Sequence, residues 1–259
     1  MKNRLFLTPV LVLAAAGCAS GTITATPSPT IMPMACTDSG NVQTVDVDAS
    51  TRINVYLPPC YGMDDAQRYP TVYLFPGFGG TKEAFIGSGA ERIAEEMTLG
   101  GEIPPMILVG TNEIFPDLDA ALVVDKILPY VDANFRTRPE REYRAAAGGS
   151  FGGGVAYHLA FRRYDLFATA GIFGNGAAVG EEEPIRAWLA AIPAEKKPRV
   201  FINVGENDTY MLGRAKVLIP LLDEAGIAHT EIFSPGGHSG DYWIGNFAEY
   251  FRWLSLDWR

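Results

Sequence analysis

Tyr143-Arg144-Ala145-Ala146-Ala147-Gly148-Gly149-Ser150-Phe151-Gly152-Gly153-Gly154-Val155-Ala156-Tyr157-His158 decides the fold. Small apolar residues from Tyr143 to Ala147 read as a buried strand. A helix-length apolar stretch from Phe151 to Tyr164 follows at once, and the turn between them spells G-x-S-x-G. A serine on so sharp a strand-to-helix turn has an exposed hydroxyl, and the flanking glycines let a neighbouring strand and helix approach closely. The letters alone also suit a tight turn with a structural serine. The strand-turn-helix setting is what favours chemistry.

The same alternation spreads outward from this turn. Val42 to Asp48 and Arg52 to Pro58 read as an antiparallel hairpin turning near Asp48-Ala49-Ser50-Thr51. Thr71 to Phe75, Met106 to Gly110, Phe167 to Phe173, Val200 to Val204 and His229 to Phe233 read as further strands. Helices are expected over Phe85 to Thr98, Asp119 to Phe135, Glu183 to Ala191, Thr209 to Ala225 and Asp241 to Trp253. A hairpin followed by repeated β-α units specifies an α/β fold, a mostly parallel sheet with helices on both faces. In such sheets function gathers at the carboxyl ends of the strands.

Serine hydroxyls are weak nucleophiles, so Ser150 needs a base and a group to orient that base. The chain has 3 histidines, few enough to sort by position. His158 falls two turns along the helix that starts after Ser150, away from the strand ends, and reads as a packed or surface residue. His229 begins the last strand, at the wrong edge. His238, in Ser234-Pro235-Gly236-Gly237-His238-Ser239-Gly240, follows that strand's carboxyl end and can reach back. For the acid, Val200 to Val204 runs into Gly205-Glu206-Asn207-Asp208. Asp208 is the candidate, Glu206 its competitor, and a helix cap its bland alternative.

Acyl transfer also needs donors for a developing oxyanion. The Phe151 amide is one; the other is expected from Pro76-Gly77-Phe78-Gly79-Gly80, with Phe78 preferred and Gly79 in reserve. No Lys-Ser or Lys-Thr pair follows these glycines, which excludes a phosphate-binding P-loop. Phe115, Tyr210, Tyr242 and Trp243 fall on loops at the same edge and are candidates to line a substrate pocket, or to pack the core. Only about 25 residues with one short helix separate Phe173 from Arg199, so no large lid is expected. No metal or other cofactor is required by this chemistry.

Residues 1 to 18 read as an export signal, with Lys2 and Arg4 ahead of an apolar run from Leu5 to Ala16. Ala15-Ala16-Gly17-Cys18 resembles a lipobox, making Cys18 the lipidated residue of a bacterial cell-envelope lipoprotein. Ordinary cleavage after Ala16 or Ala19, giving a secreted soluble protein, is the alternative. Residues 19 to 35 are rich in Ser, Thr and Pro and read as a tether; residues 36 to 259 form one domain. Cys36 and Cys60 remain as an even pair in an oxidising compartment, placed to staple the open end of the hairpin, with two unpaired thiols as the alternative. The net charge of -9 argues against nucleic acid or an anionic membrane surface as partner, leaving a lipid anchor as the only membrane contact.

With these residues identified, the chain resembles the esterase D-like esterases of the α/β-hydrolase superfamily, which include feruloyl, acetylxylan and enterochelin esterases and mycolyltransferases. The likeness covers about residues 41 to 255. It rests on Asn54-Val55-Tyr56-Leu57-Pro58-Pro59, Tyr69-Pro70-Thr71-Val72-Tyr73-Leu74, Ile127-Leu128-Pro129-Tyr130-Val131, Ala147-Gly148-Gly149-Ser150-Phe151-Gly152-Gly153 and Gly236-Gly237-His238. The resemblance implies a serine esterase with Ser150 as nucleophile, His238 as base, Asp208 as acid, and the Phe78 and Phe151 amides as oxyanion hole. Its substrate would be a small or polymer-attached ester, such as a carbohydrate-linked acetyl or feruloyl group. Acyl transfer to an envelope acceptor, and a non-catalytic ester- or glycan-binding lipoprotein, are the alternatives. Pro76 stands where the family often has His, and Phe151 where it often has Met or Leu, so the acyl group cannot be inherited from one relative.

Overall fold

The structure is a computed structural model that describes residues 38 to 115 and 120 to 258. These fall in the unit Ile31–Arg259. The export signal, Cys18, the tether and Cys36 lie outside the described residues, so the proposed Cys36 to Cys60 staple does too. Cys60 itself is buried.

Eight strands form one sheet in the order β1-β2-β4-β3-β5-β6-β7-β8. β1 (Asn41–Asp46) and β2 (Arg52–Leu57) form the expected antiparallel hairpin. Asp48 closes its turn by accepting the Ser50 and Thr51 amides, each at 2.9 Å. β2 pairs antiparallel with β4 (Ile107–Gly110). Every later pairing is parallel, through β3 (Thr71–Phe75), β5 (Arg144–Gly149), β6 (Thr169–Phe173), β7 (Arg199–Gly205) and β8 (His229–Ser234). This is the α/β-hydrolase type of sheet expected from the sequence.

The two-residue period of each strand divides the core into two layers. Tyr73 and Phe75 point to one face and Val72 and Leu74 to the other; Ile202 and Phe201 part in the same way. The first face is covered by α2 (Ala120–Leu122), a π-helical turn over Val123–Ile127, α3 (Leu128–Asn134), α4 (Phe151–Arg162), α5 (Glu182–Ala190) and α6 (Thr209–Ala225). The second is covered by α1 (Ala90–Leu99), α7 (Gly240–Gly245) and α8 (Phe247–Leu254).

Two expected helices differ. The first begins at Ala90 rather than Phe85, because Gly87 and Gly89 take φ of 102° and 118°, outside helical space. The last is broken at Asn246, which ends α7 and starts α8 and whose side chain donates to the Tyr242 carbonyl at 2.7 Å. β5 also runs two residues further than expected, carrying the strand directly to Ser150.

Candidate active site

The turn from β5 into α4 holds Ser150 at φ 51° and ψ −122°, a conformation non-glycine residues rarely adopt. Strain of this kind costs about 1 to 3 kcal/mol and persists only where neighbours hold it. Here the Ser150 amide donates to the Phe173 carbonyl at 2.7 Å, and its carbonyl accepts from the Gly153 amide at 2.9 Å. A Cβ on Gly152 would strike the backbone of Phe75, and one on Gly149 would lie 2.5 Å from the Trp243 indole. The glycines are therefore what lets β3, α4 and α7 close around the serine.

His238 donates or accepts at both ring nitrogens. Nε2 lies 2.8 Å from the Ser150 hydroxyl and Nδ1 lies 2.5 Å from Asp208 Oδ2. Three residues from the ends of three different strands thus form one hydrogen-bonded chain. Trp243 meets the imidazole edge-on, centroids 5.1 Å apart, and fixes its tilt. Asp208 is 9% exposed and does two jobs at once. Its Oδ2 takes the histidine, while Oδ1 caps α6 through the Met211 amide at 3.4 Å. Glu206, the competing carboxylate, is exposed and in no such contact, and His229 binds the Ile227 carbonyl at the far edge of the sheet.

The glycine loop after β3 passes beside the serine. A Cβ on Gly77 would sit 3.4 Å from that of Ser150, and the loop closes through the Gly80 amide on the Gly77 carbonyl at 2.9 Å. The next residue, Phe78, is 79% exposed, its ring turned edge-on to Phe151, and Phe151 in turn meets Phe115 edge-on. These rings form the mouth of a cavity of about 650 Å³ that opens at Ser150.

One face of α4 forms the cavity wall: Phe151, Gly154, Tyr157 and His158 all line it. At 1.5 Å per residue, Tyr157 and His158 lie roughly 10 to 12 Å along the helix from Ser150. Polar groups collect at that far end. Glu181 accepts from the Tyr157 hydroxyl at 2.6 Å, His158 Nε2 at 3.0 Å and the Ala178 amide at 2.7 Å. Burial works to raise its pKa, but these bonds outweigh burial and hold the carboxyl at about 2. Burial, and next the bond to Glu181, push the Tyr157 phenol far up, against the nearby Arg214 guanidinium. Arg214 is fixed by the Gly176 and Ala177 carbonyls at 2.9 and 3.1 Å and also lines the cavity.

Of the four candidate pocket residues, only Phe115 lines this cavity. Tyr210 is 65% exposed on a neighbouring groove that shares Ala178 and Arg214 with it. Tyr242 packs on Gly236 and bonds the Ser234 hydroxyl at 2.8 Å, and Trp243 lies beneath His238, so both support the histidine loop rather than face the cavity. His158, whose spacing reads as a packed or surface residue, is indeed buried, and it borders the cavity's far end. Asn175, Glu181, Met211 and Arg214 also line the cavity; they come from the chain after β6 and from α6, with no motif around them, so nothing local in the sequence marks them.

Residues 45–254 match the family model described as "Putative esterase". An endo-1,4-beta-xylanase/feruloyl esterase of Xylanibacter ruminicola is 30% identical over 145 residues, 50% of this chain and 20% of that protein. Esterase Rv1288 of Mycobacterium tuberculosis is 26% identical over 248 residues, 76% of this chain and 54% of its own length. The chain thus spans about half or less of these relatives. Among solved structures, a ferulic acid esterase of Anaeromyces mucronatus in complex with ferulic acid superimposes with a TM-score of 0.72 at 16% identity, covering 90% of this chain and 97% of that one. At that identity the likeness is one of fold.

Proposed function

This chain belongs to the esterase family, and we propose that it hydrolyses carboxylic esters through an acyl-enzyme on Ser150. The observation that carries the reading is the unbroken hydrogen-bonded chain from Ser150 through His238 to Asp208 at the mouth of a cavity. His238 takes the Ser150 proton as the hydroxyl oxygen attacks the ester carbonyl, and Asp208 orients the ring and stabilises the imidazolium. The tetrahedral oxyanion is received by the Phe151 and Phe78 amides. It collapses with protonation of the leaving alcohol by His238; water, deprotonated by the same ring, then releases the acid and restores Ser150.

The cavity's gradient supports an acyl group about 10 Å long that is apolar and flat near the carbonyl and carries oxygen at its far end. Phe78, Phe115 and Phe151 offer ring edges and faces to the first part. Arg214, Tyr157 and Glu181 offer a donor and an acceptor to the second. Hydroxycinnamoyl esters have this shape, in keeping with the feruloyl esterases among the relatives. The test is a panel of acetyl, butyryl, longer acyl, cinnamoyl and hydroxycinnamoyl esters, read against Ser150→Ala. Turnover by wild type is expected to be highest on the hydroxycinnamoyl esters and absent in the variant; equal rates for both proteins on every ester overturn the reading.

We further propose that residues 1 to 18 direct export, that Cys18 is lipidated, that residues 19 to 35 tether one catalytic domain, and that Cys36 and Cys60 are bridged. The support is the sequence pattern. Intact-mass measurement of the mature protein before and after reduction and alkylation reads both modifications, and an unlipidated N-terminus or two alkylated thiols without reduction would refute them.

A further inference from the structure

The peptide joining Ser150 to Phe151 carries polar groups on opposite sides. Its N–H belongs to Phe151 and is the oxyanion donor of the proposed mechanism. Its carbonyl belongs to Ser150 and accepts from the Asn175 side-chain amide, Nδ2 to O 2.5 Å. A trans peptide is planar, with N–H and C=O pointing opposite ways, so fixing the direction of one fixes the other. Asn175 is 3% exposed, and its Oδ1 is already taken by the Gly176 amide at 2.6 Å. That second bond decides which end of the side chain faces Ser150: the oxygen is committed, so the nitrogen donates.

Space for this contact is built into the helix. A Cβ on Gly153 would lie 3.0 Å from the Asn175 Cβ, and one on Gly154 would lie 3.2 Å from its Nδ2. Three glycines in a first helical turn cost propensity, roughly 1 kcal/mol each against alanine. They let β3 and the chain after β6 close on that turn, and Asn175 occupies the gap on the β6 side.

We propose that Asn175 is a positioning residue for the reaction assigned to Ser150. It aims the Phe151 N–H at the oxyanion and, by donating to the carbonyl of the same peptide, polarises that N–H as negative charge develops. The inference rests on the reading of Ser150 as nucleophile. A side chain that merely plugged the loop onto α4 would support folding and substrate binding alike. An aiming residue acts on the tetrahedral state more than on bound ester.

The test compares wild type with Asn175→Asp and Asn175→Ala for kcat, KM, thermal midpoint, and affinity for two ligands. A trifluoromethyl ketone mimics the tetrahedral state; the product carboxylic acid mimics the ground state. Asn175→Asp keeps the volume and the acceptor for Gly176 but turns an acceptor toward the Ser150 carbonyl. Its kcat and trifluoromethyl-ketone affinity are expected to fall together, by roughly 10- to 100-fold, less than deletion of an oxyanion donor outright. KM and product affinity should stay within about threefold, the scatter of uniform binding effects. In wild type, the Asn175 side-chain amide resonance should move when the ketone adduct forms. Unchanged kcat in both variants, an equal loss of ketone and product affinity, or an unmoved resonance overturns the inference. Should Asn175→Ala not fold, the isosteric Asp variant and the wild-type resonance carry the decision. Failure of the underlying reading looks different: wild type is then inert toward every ester and toward a fluorophosphonate.

Discussion

The two ends of the cavity are built in opposite ways. At the near end, Ser150, Asp208 and His238 each sit just past a strand, on loops whose backbone is held by neighbouring strands; Ser150 and His238 lie in glycine-rich motifs and Asp208 follows a strand end. At the far end, Tyr157, His158, Glu181 and Arg214 come from a helix face, a connecting loop and a second helix. They meet only because α4, α5 and α6 pack on the same side of the sheet. The near end is fixed by secondary structure and the far end by tertiary packing. In the proposed function, reaction chemistry is thus assigned to the part of the site that depends least on side-chain packing, and selectivity to the part that depends on it most.

Substitutions can break or sharpen that contrast. The largest loss is expected from Ser150→Ala, about 10⁴-fold or more in kcat, with fluorophosphonate labelling abolished. Asp208→Asn comes next, with a loss of about 10³- to 10⁴-fold in kcat. Because an asparagine still caps α6, its thermal midpoint should stay near wild type, whereas Asp208→Ala should cost a further 0.5 to 2 kcal/mol, roughly the worth of a cap, in urea melts. At the far end the effect moves from rate to preference. Arg214→Leu should lower the kcat/KM ratio for 4-hydroxycinnamate over cinnamate esters by about tenfold, the worth of one hydrogen bond to a charged group, leaving acetyl esters unaffected.

The smallest effect is on pH dependence. Glu181 is held at about 2, below its ordinary value of 4.5, so its stabilising contribution is complete above about pH 4.5 and is lost as pH falls toward 2. Melts of Glu181→Gln between pH 5 and pH 2, the window that shift defines, should show a shallower fall than wild type. A Gln variant as steep as wild type would show that the far end does not depend on this charge.

That same contrast explains how much could be read from the sequence. The sheet, the helices and the turn that carries Ser150 are legible because a two-residue or 3.6-residue period and a glycine-rich turn are local signals, whereas Asp208 and Glu206, two residues apart on one loop, share the same local signal and stay open. Position relative to strand ends was enough to choose His238 over His229. It also identifies His158 as a packed residue, although a residue two turns down a helix leaves the strand ends and still reaches the wall of a deep cavity. Tyr242 and Trp243 were placed near the right edge, but their neighbours Gly149, Gly174 and Gly236 draw the rings inward. Asn175 and Arg214 carry no periodicity or motif, and what defines them is a contact made across the fold.

The edge-on contact between Trp243 and His238 gives the protein an optical reporter. Indole emission depends on what touches the ring, so Trp243 fluorescence should change when a ligand arrives beside His238. Trp188 stands in a similar relation to His158, centroids 4.8 Å apart, at the other end of the cavity. Versions of the protein that keep one or the other indole would let the two ends be watched separately as a ligand enters the cavity.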